Sequence, residues 1–266
     1  MQPLSRKRAG KVSSSESYKM YESITVQNTY LDEVKIFNLF QQSDPEKDVF
    51  NFKWGHLCEN FLHDSTDYLE GYVNQNKEDD ATIFSEENPL HCGTPDQFKV
   101  IDKRLLCSET KSPVTLKGYY NLIFPFYSTG KYVEIDGNDA IKMIVKKSKE
   151  GRKYYKQIIS NAVLLEEKYA TVCNKGELIA YMPYKKDIKK LLEYAEDFFV
   201  PLPYFAIQTG TSESLPCVKP SEKDESDFDD LDDSYPVRDF HRIRFDISAE
   251  EKENFKKTLS TFTSKI

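Results

Sequence analysis

Two acidic residues near the middle of the chain, Glu134 and Asp136, stand two positions apart at the end of a run rich in β-branched and aromatic residues. Such a run predicts a strand, and residues two apart on a strand share one face. Paired carboxylates on one face can bind the magnesium ion that nucleases use. The sequence places no third acid or lysine beside this pair, so a metal-dependent enzyme is only our third hypothesis.

Other residues that could bind a metal are His56, Cys58, His63, His91 and Cys92. On a predicted helix the side chains of His56 and Cys58 point about 200° apart. His56 and His63 share a face, but they lie ~10.5 Å apart along the axis. Zinc needs all its donors about 2 Å from one ion. We therefore predict no metal site among these residues.

The segment Ser128–Lys131 resembles the end of a phosphate-binding loop. However, the upstream glycine is missing, and Tyr132 stands where a hydroxyl residue should bind magnesium. No nucleophile motif occurs elsewhere in the sequence. The leading prediction is therefore a non-enzymatic protein with no catalytic residue and no small-molecule cofactor.

The densest charge lies in the run Ser221–Ser234, which holds eight acids and one lysine, or −8 + 1 = −7, the net charge of the whole chain. Buried carboxylates would each need a partner, so this run is expected to be solvated. Its apolar residues Phe228 and Leu231 could dock in a groove of a partner protein. Ser221 and Ser226 each precede an aspartate by three residues and are candidate phosphorylation sites. The alternative is a solubilising linker.

A basic region lies between Lys142 and Lys190, with 13 bases against five acids. Aromatic residues among the bases could stack on nucleobases while the bases bind phosphates. The alternatives are an acidic protein partner and an ordinary solvated surface. The candidate nucleic-acid-binding residues are Lys146, Lys147, Arg152, Lys153, Tyr154 and Lys156.

The periodicity of apolar residues predicts an α+β fold. We expect N-terminal helices packed on a mixed or antiparallel sheet, with an aromatic-rich core drawn from 17 Phe, 17 Tyr and one Trp. The predicted organisation is a disordered basic and serine-rich tail over 1–19, an α+β body over 20–209, a disordered acidic linker over 210–236, and a C-terminal strand and helix over 237–266.

Within the body, the apolar stripe from Trp54 to Tyr72 predicts one long helix. Residues 98–106 predict a single strand, and residues 170–181 predict a hairpin that turns at Gly176.

The C-terminal segment begins its helix with the capping-box pattern Ser248–Glu251. Phe255, Leu259 and Phe262 then lie on one face of the helix. That face must be buried, either on the body or on a partner. The three residues are therefore candidate partner-binding anchors, together with Phe228 and Leu231 of the acidic run.

The five cysteines are scattered, which is typical of reduced thiols in an intracellular protein. No apolar run reaches the ~20 residues of a membrane span. We predict an adaptor or scaffold subunit of a eukaryotic multiprotein complex, located in the nucleus or alternatively in the cytoplasm, whose partners are other protein subunits. The second hypothesis is a nucleic-acid-binding subunit whose basic surface is modulated by the acidic run.

Overall fold

The computed structural model describes residues 11–35, 45–75, 81–113, 149–181, 190–191, 193–194 and 240–266. Its elements are β1 (Val12–Ser13), a 3₁₀-helix (Ser14–Tyr21), α1 (Ile24–Lys35), α2 (Pro45–Ser65), β2 (Val73–Asn74), β3 (Ile83–Phe84), β4 (His91–Gly93), β5 (Gln97–Ile101), β6 (Arg104–Lys111), α3 (Lys149–Tyr169), β7 (Cys173–Tyr181), β8 (Phe240–Asp246) and α4 (Ala249–Thr263). The predicted α+β class is confirmed.

The main sheet has five strands in the order β2-β5-β6-β7-β8. All neighbouring pairs are antiparallel except β6 and β7, which run parallel and are separated in the chain by α3. Parallel neighbours need a crossover connection, which a helix usually supplies. The sheet is therefore mixed, as expected.

The strands β5 and β6 form a tight hairpin, whereas we predicted one strand over residues 98–106. Ile101 pairs with Arg104, and the two residues between them, Asp102 and Lys103, have φ values of 49° and 63°. Positive φ at both central positions defines the turn that best matches the twist of a hairpin. The sequence prediction was wrong because a lysine at such a position carries no turn signal.

A smaller sheet has the order β1-β4-β3, with β1 parallel to β4. The Val12 amide donates to the Leu90 carbonyl at 2.6 Å. Residues 11–19, which we placed in a disordered tail, therefore form β1 and most of the 3₁₀-helix. Their order follows from the burial of Val12, Ser14 and Ser17.

Two hydrophobic clusters lie on opposite faces of the main sheet. One joins α3, α4 and the N-terminal elements to the sheet, and the other joins α2 to β7 through Ile179 and Tyr181. Aliphatic side chains and cysteines form most of both clusters, so the expected aromatic-rich core is not supported.

Helix α2 ends at Ser65, so the predicted helix to Tyr72 is too long. The predicted hairpin over 170–181 is also wrong, because β7 is one continuous strand. Gly176 does not turn the chain; a Cβ there would lie 2.4 Å from the Phe245 ring. This glycine allows a close approach between β7 and β8, which is a common use of glycine within a strand.

The C-terminal segment packs on the rest of the chain through α4. Its predicted capping box is present, since Ser248 and Glu251 bond each other's backbone amide. Phe255, Leu259 and Phe262 are buried at 1%, 3% and 4% exposure, and Phe262 stacks on Tyr30 at 5.3 Å. These three residues therefore expose no surface that could anchor a partner. No helix in the described ranges is long and apolar enough to span a membrane.

Candidate active site

A cluster of charged side chains lies where β5 begins and β6 ends. The β5–β6 ladder pairs Gln97 with Ser108, so its continuation by one residue sets Asp96 opposite Glu109. The backbone amide of Thr110 donates to Asp96 Oδ2 at 2.8 Å, which holds this carboxylate against the end of β6. Facing residues on antiparallel strands have Cβ atoms about 5 Å apart.

Lys111 follows Glu109 by two residues on β6, so both side chains lie on the same face of the strand. The Lys111 ammonium donates a hydrogen bond to Glu109 Oε1. Glu109 is almost fully buried, with a side-chain exposure of 1%, whereas Lys111 retains 22%. The cation therefore lies between a buried carboxylate and solvent.

Helix α3 supplies two amides that fix the Glu109 carboxylate. Gln157 Nε2 donates to Oε1, and Asn161 Nδ2 donates to Oε2 at 3.2 Å. The two amide residues are four apart, so they lie on one face of the helix. Because both carboxylate oxygens accept hydrogen bonds, the orientation of Glu109 is set by the packing of α3 on β6.

A third acid, Glu59, reaches the cluster from α2. Burial raises its pKa to about 7, and the negative charge of Asp96 adds to the increase. His56 Nδ1 lies 3.5 Å from the Glu59 carboxylate and opposes this increase when protonated. Glu59 is therefore a carboxylic acid that changes charge close to neutral pH.

Burial and neighbouring charges also set the pKa values of Glu109 and Lys111. Burial and then the charge of Asp96 raise the pKa of Glu109 well above its ordinary value, while Lys111 opposes the shift. Burial alone would lower the pKa of Lys111, but the carboxylates of Glu109 and Asp96 outweigh it and raise that pKa. Lys111 therefore stays protonated and acts as a fixed positive charge.

The donor set suits a small divalent cation. Mg²⁺ binds through one or two carboxylates, several waters and substrate phosphate oxygens rather than through a closed protein cage. Asp96 and Glu109 are such a pair. In the described ranges no three His, Cys, Asp or Glu side chains converge as a preformed metal cage. The residues thus fit a cation shared with a phosphate substrate and do not fit a structural zinc site.

The other face of the main sheet carries a separate buried carboxylate, Glu177. It accepts hydrogen bonds from Ser108 at 3.0 Å and from Tyr72 at 2.8 Å. Arg244 Nε donates to it at 2.6 Å, and Arg242 Nε lies 2.9 Å away. Two guanidinium groups balance this charge, so Glu177 has a structural role: its contacts hold β6, β7 and β8 together.

The basic candidates from the sequence are only partly described. Lys153, Tyr154 and Lys156 lie near the N-terminal end of α3, and Lys111 Nζ lies 5.2 Å from the Tyr154 ring centroid. The other candidates from the sequence lie outside the described residues: Lys146, Lys147, Glu134, Asp136, Ser221, Ser226, Phe228, Leu231 and the side chain of Arg152.

The metal candidates from the sequence do not come together. Cys58 is buried in the α2 cluster. His91 Nε2 lies 2.7 Å from the Ser160 hydroxyl, and burial lowers the pKa of this imidazole to about 4.

Sequence reasoning missed Asp96, Glu109 and Lys111. A recognisable signal was present: an acid before a short strand, then an acid and a lysine two apart on the next strand. The sequence predicts one strand over residues 98–106, and this prediction excludes the hairpin that sets Asp96 beside Glu109. The sequence instead suggested Glu134 and Asp136 as the acidic pair, and only as a third hypothesis.

Comparison with solved structures gives a shared fold. The crystal structure of the exonuclease LHK-Exo in complex with dAMP superposes with a TM-score of 0.51 at 12% identity, covering 97% of this chain and 88% of that chain. A second crystal structure, of the alkaline exonuclease LHK-Exo from Laribacter hongkongensis, has a TM-score of 0.47, 12% identity and the same coverages. No protein-family model matches the chain, and no curated protein matches it.

These findings contradict the leading prediction. The chain folds like a nuclease, whereas we predicted a non-enzymatic adaptor or scaffold subunit of a nuclear complex. Glu109 is buried, and its burial and the charge of Asp96 raise its pKa. A buried carboxylate with a shifted pKa is a feature that functional sites often show. The nuclear or cytoplasmic location stays a prediction.

Proposed function

We propose that this protein is a divalent-cation-dependent nuclease that hydrolyses phosphodiester bonds of DNA. The observation that carries the proposal is the convergence of Asp96, Glu109 and Lys111 at the end of the β5–β6 hairpin. The fold shared with an exonuclease crystallised with dAMP supports a nucleic acid as the substrate class.

Asp96 and Glu109 are the residues that would hold the cation. When bound, the cation supplies Lewis acidity toward the phosphate oxygens and lowers the pKa of water. Gln157 and Asn161 keep the Glu109 carboxylate in one orientation. This fixed orientation means that no reorganisation is needed when the phosphate arrives.

Lys111 has an electrostatic role in this proposal. Its raised pKa keeps it an ammonium group at neutral pH, so it cannot act as a general base there. Its three N–H donors can stabilise the negative charge that develops on the phosphate oxygens. Glu59, whose pKa is about 7, is the group best matched to accept or release a proton at neutral pH.

The test measures release of mononucleotides from end-labelled DNA in Mg²⁺ or Mn²⁺, and again in EDTA. We expect cation-dependent cleavage by the wild-type protein and a loss of about 10³-fold in Asp96→Asn and Glu109→Gln. Both replacements keep the size of the side chain while removing its charge. Glu87→Gln is the control, because Glu87 is an exposed acid paired with Lys256 at 2.8 Å, away from the cluster. Cleavage that survives in Asp96→Asn and Glu109→Gln would show that another site does the chemistry.

A further inference from the structure

Lysines and tyrosines alternate between the N-terminal end of α3 and the 3₁₀-helix. Lys153 Nζ lies 5.6 Å from the Tyr18 ring centroid and 5.8 Å from that of Tyr154. Lys156 Nζ lies 4.0 Å from the Tyr21 ring centroid. We call this surface, formed by Tyr18, Tyr21, Lys153, Tyr154 and Lys156, the lysine–tyrosine ledge.

The ledge begins at the candidate active site. Lys111 Nζ lies 5.2 Å from the Tyr154 ring, and Tyr154 in turn contacts Lys153. The contacts Lys111–Tyr154–Lys153–Tyr18 therefore form a continuous path from the charged cluster to the 3₁₀-helix. A DNA strand bound along this path would lead directly to the proposed scissile phosphate.

The lysines of the ledge differ from other lysines nearby. Lys19, Lys252 and Lys256 form ion pairs with Glu16, Glu166 and Glu87. Within the part of the chain that the structure describes, Lys153 and Lys156 form no ion pair and instead face tyrosine rings. The charge of Lys153 is therefore available to an anion, whereas the charge of Lys156 also interacts with the Glu251 carboxylate.

The tyrosine rings are partly exposed. Tyr21 is 39% exposed, whereas Tyr18 and Tyr154 are half-buried and Tyr154 packs against the hydrophobic core. An aromatic ring at a surface can stack on an unpaired base, and a lysine beside it can bind the adjoining phosphate. The alternation of the two residue types thus matches the alternation of base and phosphate along one strand.

We propose that the lysine–tyrosine ledge binds the single-stranded part of a DNA substrate and directs it into the site of Asp96, Glu109 and Lys111. This inference rests on the proposed nuclease function and names the form of substrate that the site takes. Single-stranded DNA is favoured because paired bases in a duplex hide the faces that the tyrosines would contact.

The test uses fluorescence anisotropy of the full chain with a labelled single-stranded oligonucleotide and with a duplex of the same length, both in EDTA. For Lys153→Gln/Lys156→Gln we expect single-strand binding to weaken about tenfold. The plot of the logarithm of the binding constant against the logarithm of the salt concentration should also become less steep. Its slope should change by about 0.7 for each phosphate that a lysine no longer neutralises. Tyr18→Leu should weaken single-strand binding about tenfold and leave duplex binding unchanged, because it removes stacking but keeps an apolar side chain.

A matched control lies on the same helix. Lys168 Nζ stands 5.3 Å from the Tyr169 ring, in the same kind of pair, but ~22 Å further along α3 than Lys153. Lys168→Gln should bind both DNAs as the wild-type protein does. The ledge would be refuted if Lys168→Gln weakened DNA binding as much as Lys153→Gln/Lys156→Gln does. It would also be refuted if Tyr18→Leu weakened the binding of single-stranded and duplex DNA equally.

Activity assays separate this inference from the proposed function. In cleavage assays Lys153→Gln/Lys156→Gln should raise KM for single-stranded DNA and leave kcat unchanged. Cleavage by the wild-type protein with an unchanged KM in this variant would refute the ledge but retain the nuclease. Absence of cleavage by the wild-type protein, with DNA binding still weakened in the variant, would refute the nuclease and retain the ledge as a DNA-binding surface.

Discussion

The environment of single residues explains why three acids and one lysine can coexist at this site. Glu109 is buried, but Lys111, Gln157 and Asn161 all donate hydrogen bonds to it. Burial and then the charge of Asp96 also raise the pKa of Glu59, to about 7. Such mutual repulsion costs stability, and proteins retain it mainly at functional sites.

The raised pKa of Glu59 has a consequence for stability. The folded protein keeps a proton on Glu59 over the interval from its ordinary pKa of 4.5 to about 7, whereas the unfolded chain releases it. The free energy of unfolding should therefore decrease as pH rises through this interval in the absence of metal. Glu59→Gln should flatten this decrease and should be more stable than the wild-type protein at pH values above about 7.

Urea denaturation across this pH range, in EDTA, measures the effect. The control is Glu87→Gln, which removes an exposed acid. Identical pH dependence in the wild-type protein and Glu59→Gln would show that Glu59 is not held in the protonated form.

At the scale of elements, the site depends on how closely α3 approaches the N-terminal segment and β4. A Cβ on Gly93 would lie 2.1 Å from Ser14 Oγ, 2.7 Å from Asn161 Oδ1 and 2.8 Å from Leu164 Cδ1. These distances are too short for any side chain. Gly93 therefore lets β4 and the 3₁₀-helix pack on the turn of α3 that carries Asn161, which positions Glu109.

The change Gly93→Ala should destabilise the protein by about 1–3 kcal/mol, because it overpacks this contact. It should also lower the proposed nuclease activity, since Asn161 must move. Gly55→Ala is the matched control, because no described atom beyond its chain neighbours and the local helix backbone lies within 4 Å of the added Cβ. In the middle of α2 that change should stabilise by about 0.5–1 kcal/mol. Thermal denaturation of both variants tests the contrast, and equal melting temperatures would contradict it.

The sequence predicted some elements well and others poorly, for physical reasons. The capping box at Ser248 and the apolar face of α4 are local patterns, and both were correct. The β5–β6 turn at Asp102 and Lys103 and the continuous strand at Gly176 depend on contacts with distant strands. Asp96 and Glu109 could not be paired until that turn was known, so the site was missed although its residues were visible.

At the scale of the whole molecule, the chain after residue 239 completes the main sheet. Strand β8 pairs with β7 along its length from Lys175–Asp246 to Tyr181–Phe240. Its Arg242 and Arg244 balance the charge of Glu177, which is fully buried. The sequence indicated that this segment must bury an apolar face, but it could not indicate which strand it would join.

Removing one of these cations should show how much the sheet depends on the ion cluster. Arg244→Ala should destabilise by about 2 kcal/mol, less than for a fully buried pair, because Arg244 is partly exposed and Arg242 remains. Lys256→Ala, which removes the partner of exposed Glu87, should cost less than about 1 kcal/mol. Urea denaturation compares the two variants. Equal decreases in their free energy of unfolding would contradict a structural role for the buried ion cluster.

The position of β8 in the chain also bears on synthesis. A nascent polypeptide that has emerged only through β7 presents that strand with one side unpaired, and its neighbour β6 is the strand that carries Glu109 and Lys111. Open edges of this kind recruit strands from other molecules. A translating ribosome that stalls before the last strand emerges should therefore release chains that self-associate, so a chaperone that shields the growing sheet would raise the yield of active protein.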